Sequence, residues 1–360
     1  MNAVNKSIER DIQGRELNIL EVSNGRLSFT LIPERSLDIG DIYLDGEKIS
    51  WNREKSYLKH PDSVDLKTEG FEPGFYAAVT SLGPEVFGTP DEVRTVHGTG
   101  AYSMCRPESI KINITDDLIE VSGTVDIKGY TDKVLLEKEV RVVANTNSLF
   151  IERTEVYHNL SGEILPLDDA YHIQLCGDFV SDGGRYVLPV KDDRLLLRDS
   201  APEEANPRLI YPFDEKLDPI RCYQYIPERV RSLTEIEELT SSKIVKEDYG
   251  PVTAEMIVNK TMDKAAVIVR PLSSFSRTLL AKRNIDGPMY AIEPCKTRPN
   301  SIKQKAIDGE LHYIYPDVPV TSHIMIAILD NKISIELTET KISRAGDYEK
   351  YIERYFCKKE

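Results

Sequence analysis

Hydrophobic and polar residues alternate with a period of two along much of this sequence. Such alternation, interrupted by short segments rich in Asp and Asn, is typical of antiparallel hairpins that bury one face. The pattern predicts three hairpins. The first joins residues 110–114 to 119–127 through the turn Asp116-Asp117, and the second joins 134–142 to 149–157 through Asn145-Thr146-Asn147. The third joins 324–328 to 333–337 through Asp330-Asn331. The first 50 residues show the same alternation over 27–44, which ends at the turn Asp45-Gly46.

Helical signals are few. Residues 232–239 are compatible with a short helix, and residues 347–357 with a helix near the C-terminus. Strands and helices do not alternate regularly along the chain, which disfavours a parallel α/β sheet. The sequence therefore predicts an all-β fold, a large antiparallel β-sandwich with a few short helices.

The chain is expected to form one domain. A length of 360 residues allows about two domains, but no linker and no sharp shift in composition divides the sequence. We therefore predict a single domain over residues 1–360. The proline-dotted segment 201–228 indicates a long excursion, and we place a loop insertion around 198–245.

Charge narrows the range of partners. The 46 Lys and Arg residues against 60 Asp and Glu residues give a net charge of −14. Nucleic-acid binding needs clustered basic residues, so no nucleic-acid partner is expected. The same excess disfavours a polyanionic substrate, although a local basic pocket is compatible with an acidic protein.

Other features of the composition point to the cytoplasm. No stretch approaches the ~20 apolar residues of a membrane-spanning helix, and the first residues lack the apolar core of a signal peptide. Five widely spaced cysteines without a CxxC pair indicate reduced thiols. We expect a cytoplasmic protein without a membrane partner, and a homodimer stays open.

Motifs for several kinds of chemistry are absent. The sequence has no phosphate-binding GxxxxGK[ST] loop, no GxSxG elbow and no HExxH pair. We therefore expect no cofactor and no metal. Trp51 is the single tryptophan, which argues mildly against a groove for long polysaccharides.

Three histidines are candidates for function. His97 precedes Gly98, which permits a tight turn, so His97 is either a turn residue or a functional one. His172 lies in an alternating segment flanked by carboxylates, and His158 lies in a similar segment fourteen residues earlier. For at least one of these two, a strand histidine with a satisfied hydrogen bond is the simpler interpretation.

Three charged residues lie in otherwise strand-like tracts. Glu293 follows an apolar run and precedes Pro294. Burial would raise its pKa from about 4.3 toward 6–7, which suits a general base at neutral pH; the alternative is a strand-end Glu that faces solvent. Arg35 and Asp38 form a surface ion pair by default, worth under about 1 kcal/mol.

Together, these segments resemble the aldose 1-epimerase, or galactose mutarotase-like, superfamily, and within it a bacterial branch whose activity is unsettled. The resemblance covers much of the chain and rests on four short motifs in the same order. They are Arg35-Ser36-Leu37-Asp38-Ile39-Gly40 with Gly46 and Trp51, Thr80-Ser81-Leu82-Gly83 before His97-Gly98, Tyr171-His172-Ile173-Gln174 before Gly183-Gly184-Arg185, and Ile292-Glu293-Pro294-Cys295.

The resemblance implies roles for these residues. Glu293 would be the base that acts on the anomeric hydroxyl, and His172 the acid that protonates the ring oxygen. His158 stays open as the acid, because Tyr157-His158-Asn159 matches the local residue types of the family, whereas the glycine-arginine segment downstream fits His172. The residues assigned to substrate binding are His97, Arg35, Asp38, Gln174 and Arg185.

The sequence also departs from the family pattern. Thr99 stands where the branch usually has an arginine, and Ala77-Ala78 where it usually has paired glycines. Gln174 replaces an asparagine. We therefore expect a reshaped pocket for a small carbohydrate of unknown identity.

The resemblance implies mutarotation, in which general acid and base catalysis opens and recloses the ring of a free or modified sugar. Two alternatives stay open. The first is a non-catalytic carbohydrate-binding protein on the same fold, and the second, less favoured, is a polysaccharide lyase.

Overall fold

The structure is a computed structural model in which antiparallel strands form two large sheets and a small ribbon. It describes residues 2–66, 68–180, 183–198, 201–210, 220–231, 233, 248–284 and 286–346. Within these residues, every pair of neighbouring strands is antiparallel. The predicted all-β sandwich is confirmed.

The larger sheet contains eleven strands in the described part of the chain. From one edge to the other they are β1 (Ala3–Arg10), β2 (Glu16–Ser23), β3 (Leu27–Ile32), β4 (Asp38–Leu44), β6 (Val79–Leu82), β12 (Ala170–Cys176), β19 (Pro288–Cys295), β18 (Arg277–Asn284), β15 (Arg221–Tyr225) and β14 (Leu196–Leu197), with β5 (Glu47–Lys48) beside β4. Strands β12 and β19 lie in the middle of this sheet, far apart in sequence but adjacent in space.

The smaller sheet contains eight described strands. In spatial order they are β13 (Arg185–Val187), β16 (Val252–Val258), β17 (Ala265–Pro271), β21 (Val320–Leu329), β10 (Phe150–Asn159), β9 (Leu136–Asn145), β8 (Leu118–Ile127) and β7 (Lys111–Ile114). A separate two-stranded ribbon pairs β11 (Leu165–Pro166) with β20 (Tyr313–Ile314).

The described α-helices are α1 (Gly177–Val180), α2 (Ile302–Ile307) and α3 (Lys332–Gly346). Short 3-10 helices are found at Pro33–Arg35, Lys55–Tyr57, Pro61–Ser63, Glu72–Gly74, Gly100–Tyr102, Pro107–Ser109 and Asp192–Arg194. None of the helices in the described ranges is both long and apolar enough to cross a membrane.

Two of the predicted hairpins are confirmed, and so are the strands predicted over 27–44. Residues 110–127 form β7 and β8, residues 134–157 lie mainly in β9 and β10, and β3 pairs with β4. The turn residues behave as the pattern indicated, because Asp45, Gly46 and Asn147 all have positive φ angles.

The hairpin predicted over 324–337 is wrong in its second half. Residues 324–328 lie in β21, but helix α3 follows it. Asn331 caps the helix instead of turning a hairpin, because its side chain accepts a hydrogen bond from the backbone N–H of Ser334 at 2.9 Å. The buried residues Ile335, Thr338 and Ile342 then recur at helical spacing, and the helix packs against β16 and β13 of the smaller sheet.

Three further predictions concern residues that are described only in part or not at all. The helices predicted at 232–239 and 347–357 lie outside the described residues, except for Leu233. The single domain with a loop insertion around 198–245 stays a prediction; in the described part of that insertion, Arg221–Tyr225 forms β15.

The main hydrophobic core lies between the two large sheets. On β12, Tyr171, Ile173 and Leu175 point into it, as Tyr290 and Ile292 do on β19. Because successive side chains in a strand alternate between faces, the residues between these point to the opposite face of the larger sheet. That face carries the residues discussed next.

Candidate functional site

His172 and Glu293 lie opposite each other on neighbouring strands. The antiparallel register of β12 and β19 pairs Ala170 with Cys295 and Gln174 with Ala291, which brings His172 level with Glu293. The Nε2 atom of His172 is 3.4 Å from Oε1 of Glu293. The two residues are only 6% and 4% exposed, so water is largely excluded from this acid–base pair.

Aromatic rings surround the pair. Phe75 contacts His172 edge-on, with ring centroids 4.7 Å apart. Phe71 and Phe87 hold the ring of His97 between them, each with a centroid separation of 5.2 Å. Phe71, Phe75 and Phe87 belong to one apolar cluster with Trp51 on this face of the sheet, so the polar groups stand in a largely apolar surround.

A strained turn presents His97. Its φ angle is +62° and that of Gly98 is +70°. The backbone N–H of His97 donates to the carbonyl of Gly88 at 3.0 Å, and its carbonyl accepts from Gly83 at 2.9 Å. The turn therefore fixes the imidazole between its two phenylalanine neighbours.

Replacing Gly98 with Ala is expected to destabilise the fold by more than about 2 kcal/mol. A Cβ atom at this position would lie 2.6 Å from the carbonyl oxygen of Gly83, in addition to the cost of a positive φ angle. Gly14→Ala is the matched control, because Gly14 also has a positive φ angle but has open space around it.

Urea unfolding measures both variants. Gly14→Ala should cost only the backbone term of about 1–2 kcal/mol. Equal losses in the two variants would contradict the close packing of this turn against Gly83.

Burial separates the pKa values of the pair. Desolvation raises the pKa of Glu293 to about 7, against a lowering influence from the positive charge of Arg198. Desolvation lowers the pKa of His172 to about 3, although an interaction with the Gln174 side chain raises it. Burial also lowers the pKa of His97 to about 3, assisted by the positive charges of its neighbours.

Four buried polar atoms at this face have no hydrogen-bond partner among the described residues. They are Nε1 of Trp51, Nδ1 of His97, Nδ1 of His172 and Oε1 of Gln174. The side chain of Gln174 is nevertheless close enough to His172 to raise its pKa. Buried polar groups are nearly always satisfied in folded proteins. These atoms are therefore available to ordered water or to a ligand that carries hydrogen-bonding groups.

The structure brings four of the candidate residues together, namely His97, His172, Gln174 and Glu293. His158 lies elsewhere, on β10 of the smaller sheet, where its Nε2 atom is 3.4 Å from Oε1 of the exposed Glu139. The histidine beside Glu293 is therefore His172, the one that the downstream glycine-arginine segment favoured.

Arg35 does not reach the pair. Its guanidinium is buried over the ring of Tyr102, 4.8 Å from the centroid. It donates hydrogen bonds to three main-chain carbonyls, those of Lys59, Gly74 and Ala101. Since Gly74 precedes Phe75, Arg35 holds the segment whose ring packs on His172.

Asp38 and Arg185 belong to other networks. Asp38 accepts from the backbone and hydroxyl of Ser81 at 3.0 and 2.6 Å, and it lies 3.8 Å from buried Arg153. Arg185 makes two hydrogen bonds to Glu339 of α3, at 2.8 and 2.6 Å. Neither side chain shares a described hydrogen bond or ion pair with His172 or Glu293.

Arg198 is a positively charged residue near this site that the sequence motifs did not identify. It follows β14, and its backbone N–H donates to the carbonyl of Cys222 at 3.0 Å. The residue lies in the region predicted as a loop insertion, and no motif marks it. Its charge nevertheless acts on both Glu293 and His97.

In the described part of the chain, no group of three or more His, Cys, Asp or Glu residues is arranged to hold a metal ion. The chemistry that these residues offer is proton transfer between a buried carboxyl and a buried imidazole.

Comparisons with known proteins identify the fold. A profile of the family described as "Domain of unknown function (DUF4432)" matches residues 14–328. No curated protein is significantly similar in sequence. Among solved structures, a candidate aldose 1-epimerase from Klebsiella pneumoniae is similar with a TM-score of 0.78 at 16% identity, over 95% of this chain and 87% of that one.

Two further structures agree. A galactose mutarotase-like protein from Clostridium acetobutylicum gives a TM-score of 0.61 at 14% identity, over 91% and 99% of the two chains. A candidate aldose 1-epimerase from Escherichia coli gives 0.54 at 12% identity, over 88% and 100%. These similarities show the galactose mutarotase-like fold that the sequence motifs predicted.

Proposed function

The chain belongs to the DUF4432 family, a domain of unknown function, and from the site described above we propose that it interconverts the anomers of a small sugar as an aldose 1-epimerase does. The observation that carries the proposal is the buried pair His172–Glu293, 3.4 Å apart, beside four unpaired polar atoms. A sugar offers the several hydroxyl groups that such atoms require.

The reaction needs only proton transfers. A base removes the proton of the anomeric hydroxyl while an acid protonates the ring oxygen, and the bond between the anomeric carbon and the ring oxygen breaks. The resulting aldehyde rotates and the ring closes on its other face, with both protons returned. A positioned acid and a positioned base each contribute about 10²–10⁴-fold.

The pair suits these roles because it holds one proton around neutral pH. The pKa values of about 3 for His172 and about 7 for Glu293 leave one proton on the pair between these limits. In a coupled pair that proton belongs to both groups. We assign Glu293 as the base and His172 as the acid, which uses the form with the proton on the imidazole.

Neighbouring residues would bind the sugar. The unpaired atoms of His97, Gln174 and Trp51 are available to ring hydroxyls. The rings of Phe71 and Phe75 offer apolar faces to the C–H groups of the sugar.

The direct test is anomer exchange followed by NMR. Magnetisation transfer between the α and β forms of D-galactose, D-glucose and their 6-carboxylate counterparts measures the exchange rate with and without the wild-type protein. An enhanced rate for at least one sugar supports the proposal. Binding without any enhancement would instead establish a non-catalytic carbohydrate-binding protein, which would use the same unpaired atoms.

The pH dependence tests the one-proton pair. We expect kcat/KM to be level below about pH 7 and to fall about tenfold per pH unit above it, because the pair loses its proton as Glu293 titrates near a pKa of about 7. The profile is measured by NMR exchange between pH 5 and 9. A rate that rises through pH 7 would contradict His172 as the acid and leave Glu293 as a base alone.

A further inference from the structure

We propose that Arg198 binds a carboxylate, so that the substrate of this site is a sugar acid such as a uronate. The inference rests on the proposed function for the site but concerns recognition, which is measured separately from turnover. It assigns a role to a residue that neither the sequence motifs nor the family resemblance identified.

Arg198 has unused hydrogen-bonding capacity. Among the described residues, its guanidinium makes one hydrogen bond, from Nη1 to the Sγ atom of Cys222 at 3.9 Å. A guanidinium has five N–H donors, and a thiol is a weak acceptor. The side chain is half-buried, so part of its surface remains available to a ligand.

Four buried arginines elsewhere in the described part of the chain have strong acceptors as partners. Arg153 is paired with Glu155 at 2.7 Å, Arg270 with Glu255, and Arg53 with Glu72 at 3.0 Å. Arg35 is bound to three carbonyls. Against this background, the weak contact of Arg198 leaves a positive charge that a ligand can neutralise.

The position of Arg198 relative to the acid–base pair fits a six-carbon sugar acid. One row of residues crosses four strands beside His172 and Glu293, and it consists of Gln174, Ala291, Ala281 and Cys222. Between Gln174 and Arg198, this row carries no side chain larger than that of cysteine.

The length of this row also matches the length of a hexuronate. Cys222 lies two strands away from the strand of Glu293, which is about 10 Å across the sheet. A hexuronate with its anomeric hydroxyl at Glu293 and its carboxylate at Arg198, with one hydrogen bond at each end, can bridge such a span.

The charges favour a carboxylate over a phosphate. The next cation, Lys305, is taken up by Asp168 and by the carbonyl of Phe87. One guanidinium matches the single charge of a carboxylate and can bind its two oxygens side by side. A phosphate dianion would need a second cation, and none of the described residues offers a free one here.

The test compares sugars that differ only at C6. Isothermal titration calorimetry at pH 7 and low salt measures binding of D-galacturonate against D-galactose, and of D-glucuronate against D-glucose. The wild type is expected to bind one of the uronates about ten- to a hundredfold more tightly than its neutral counterpart. Arg198→Gln should abolish this preference, because the carboxylate then has no cationic partner, so that each uronate and its neutral counterpart bind about equally.

Arg194→Gln is the matched control. It removes the same charge four residues earlier, from a side chain that is 63% exposed, and it should keep the preference for the uronate. Circular dichroism shows whether each variant is folded. Arg198→Lys, which retains the charge without the planar fork, is expected to retain part of the preference.

Several results overturn the proposal: a wild type that binds no uronate, an equal preference in Arg198→Gln, or tighter binding of D-galactose 6-phosphate than of D-galacturonate. Failure of the proposed function looks different. If uronate binding depends on Arg198 but no anomer exchange occurs, the catalytic function is overturned and the role of Arg198 is supported. If neutral sugars are exchanged but uronates are not preferred, the catalytic function is supported and the role of Arg198 is overturned.

Discussion

Glu293→Gln is expected to lower the rate of anomer exchange by about 10²–10⁴-fold. Glutamine has the same shape and occupies the same buried position, but it cannot accept the proton of the anomeric hydroxyl at neutral pH. Because burial already penalises the charged carboxylate, the neutral amide should leave the free energy of unfolding almost unchanged. Loss of rate with retained stability and retained sugar affinity is thus the expected signature.

The measurement uses NMR exchange for the rate, calorimetry for binding and urea unfolding for stability. His172→Asn and His158→Asn form a matched pair of controls, since His158 lies on the other sheet beside Glu139. We expect the first to lose activity comparably to Glu293→Gln and the second to keep it. An unchanged rate in Glu293→Gln would remove Glu293 from the mechanism, whatever the histidines do.

The strands were predictable because their signals are local. In β8 the buried residues alternate strictly, and in β9 they alternate over residues 136–142, which is the two-residue period of a strand with one buried face. The same logic failed at residues 333–337, where the alternation of Ile333, Ile335 and Leu337 is accidental. Helix α3 buries only Ile335 of these three, and its next buried position is the polar Thr338, which masks the helical period.

The site was only partly predictable, because its geometry depends on register between distant strands. Glu293 stood out as a carboxylate in an apolar run, and its burial and raised pKa agree with that reasoning. His172 and His158 occupy similar alternating segments, and local sequence cannot separate them. The pairing of β12 with β19 does so, because it places His172 opposite Glu293.

The sequence alone also could not predict the surroundings of Arg35 and Arg198. A charged residue in a strand-like tract can face solvent, a ligand or the interior, and the sequence does not show which carbonyls will surround it. Arg35 lies beneath three of them. Arg198 contacts Cys222 through its backbone N–H and its guanidinium, and these contacts join segments that carry no recognisable motif.

The two arginines therefore suggest different contributions to one site. In the proposed role, Arg198 binds the ligand directly. Arg35 is committed to the fold, and the site depends on it indirectly. Through Gly74 it holds the segment that carries Phe75 against His172, so its removal should be seen first in stability.

Arg35→Met is expected to destabilise the protein by about 3 kcal/mol or more. Methionine fills part of the volume but leaves the carbonyls of Gly74, Ala101 and Lys59 without their donors, in a place where the side chain is only 2% exposed. Each buried acceptor left unpaired costs about 1–3 kcal/mol. Urea unfolding measures the loss.

Arg194→Met is the control for the loss of an arginine at the surface, since its side chain is 63% exposed, and it should change stability by less than about 0.5 kcal/mol. The resemblance to the epimerase family implies instead that Arg35 binds substrate. In that case Arg35→Met would raise KM several-fold while the free energy of unfolding stayed near that of the wild type. The two roles thus give opposite results in the same pair of measurements. If Arg35 contacts the substrate directly, Arg35→Met changes KM alone. If Arg35 supports Phe75, the substitution lowers the free energy of unfolding and changes KM only as far as the ring of Phe75 moves away from His172.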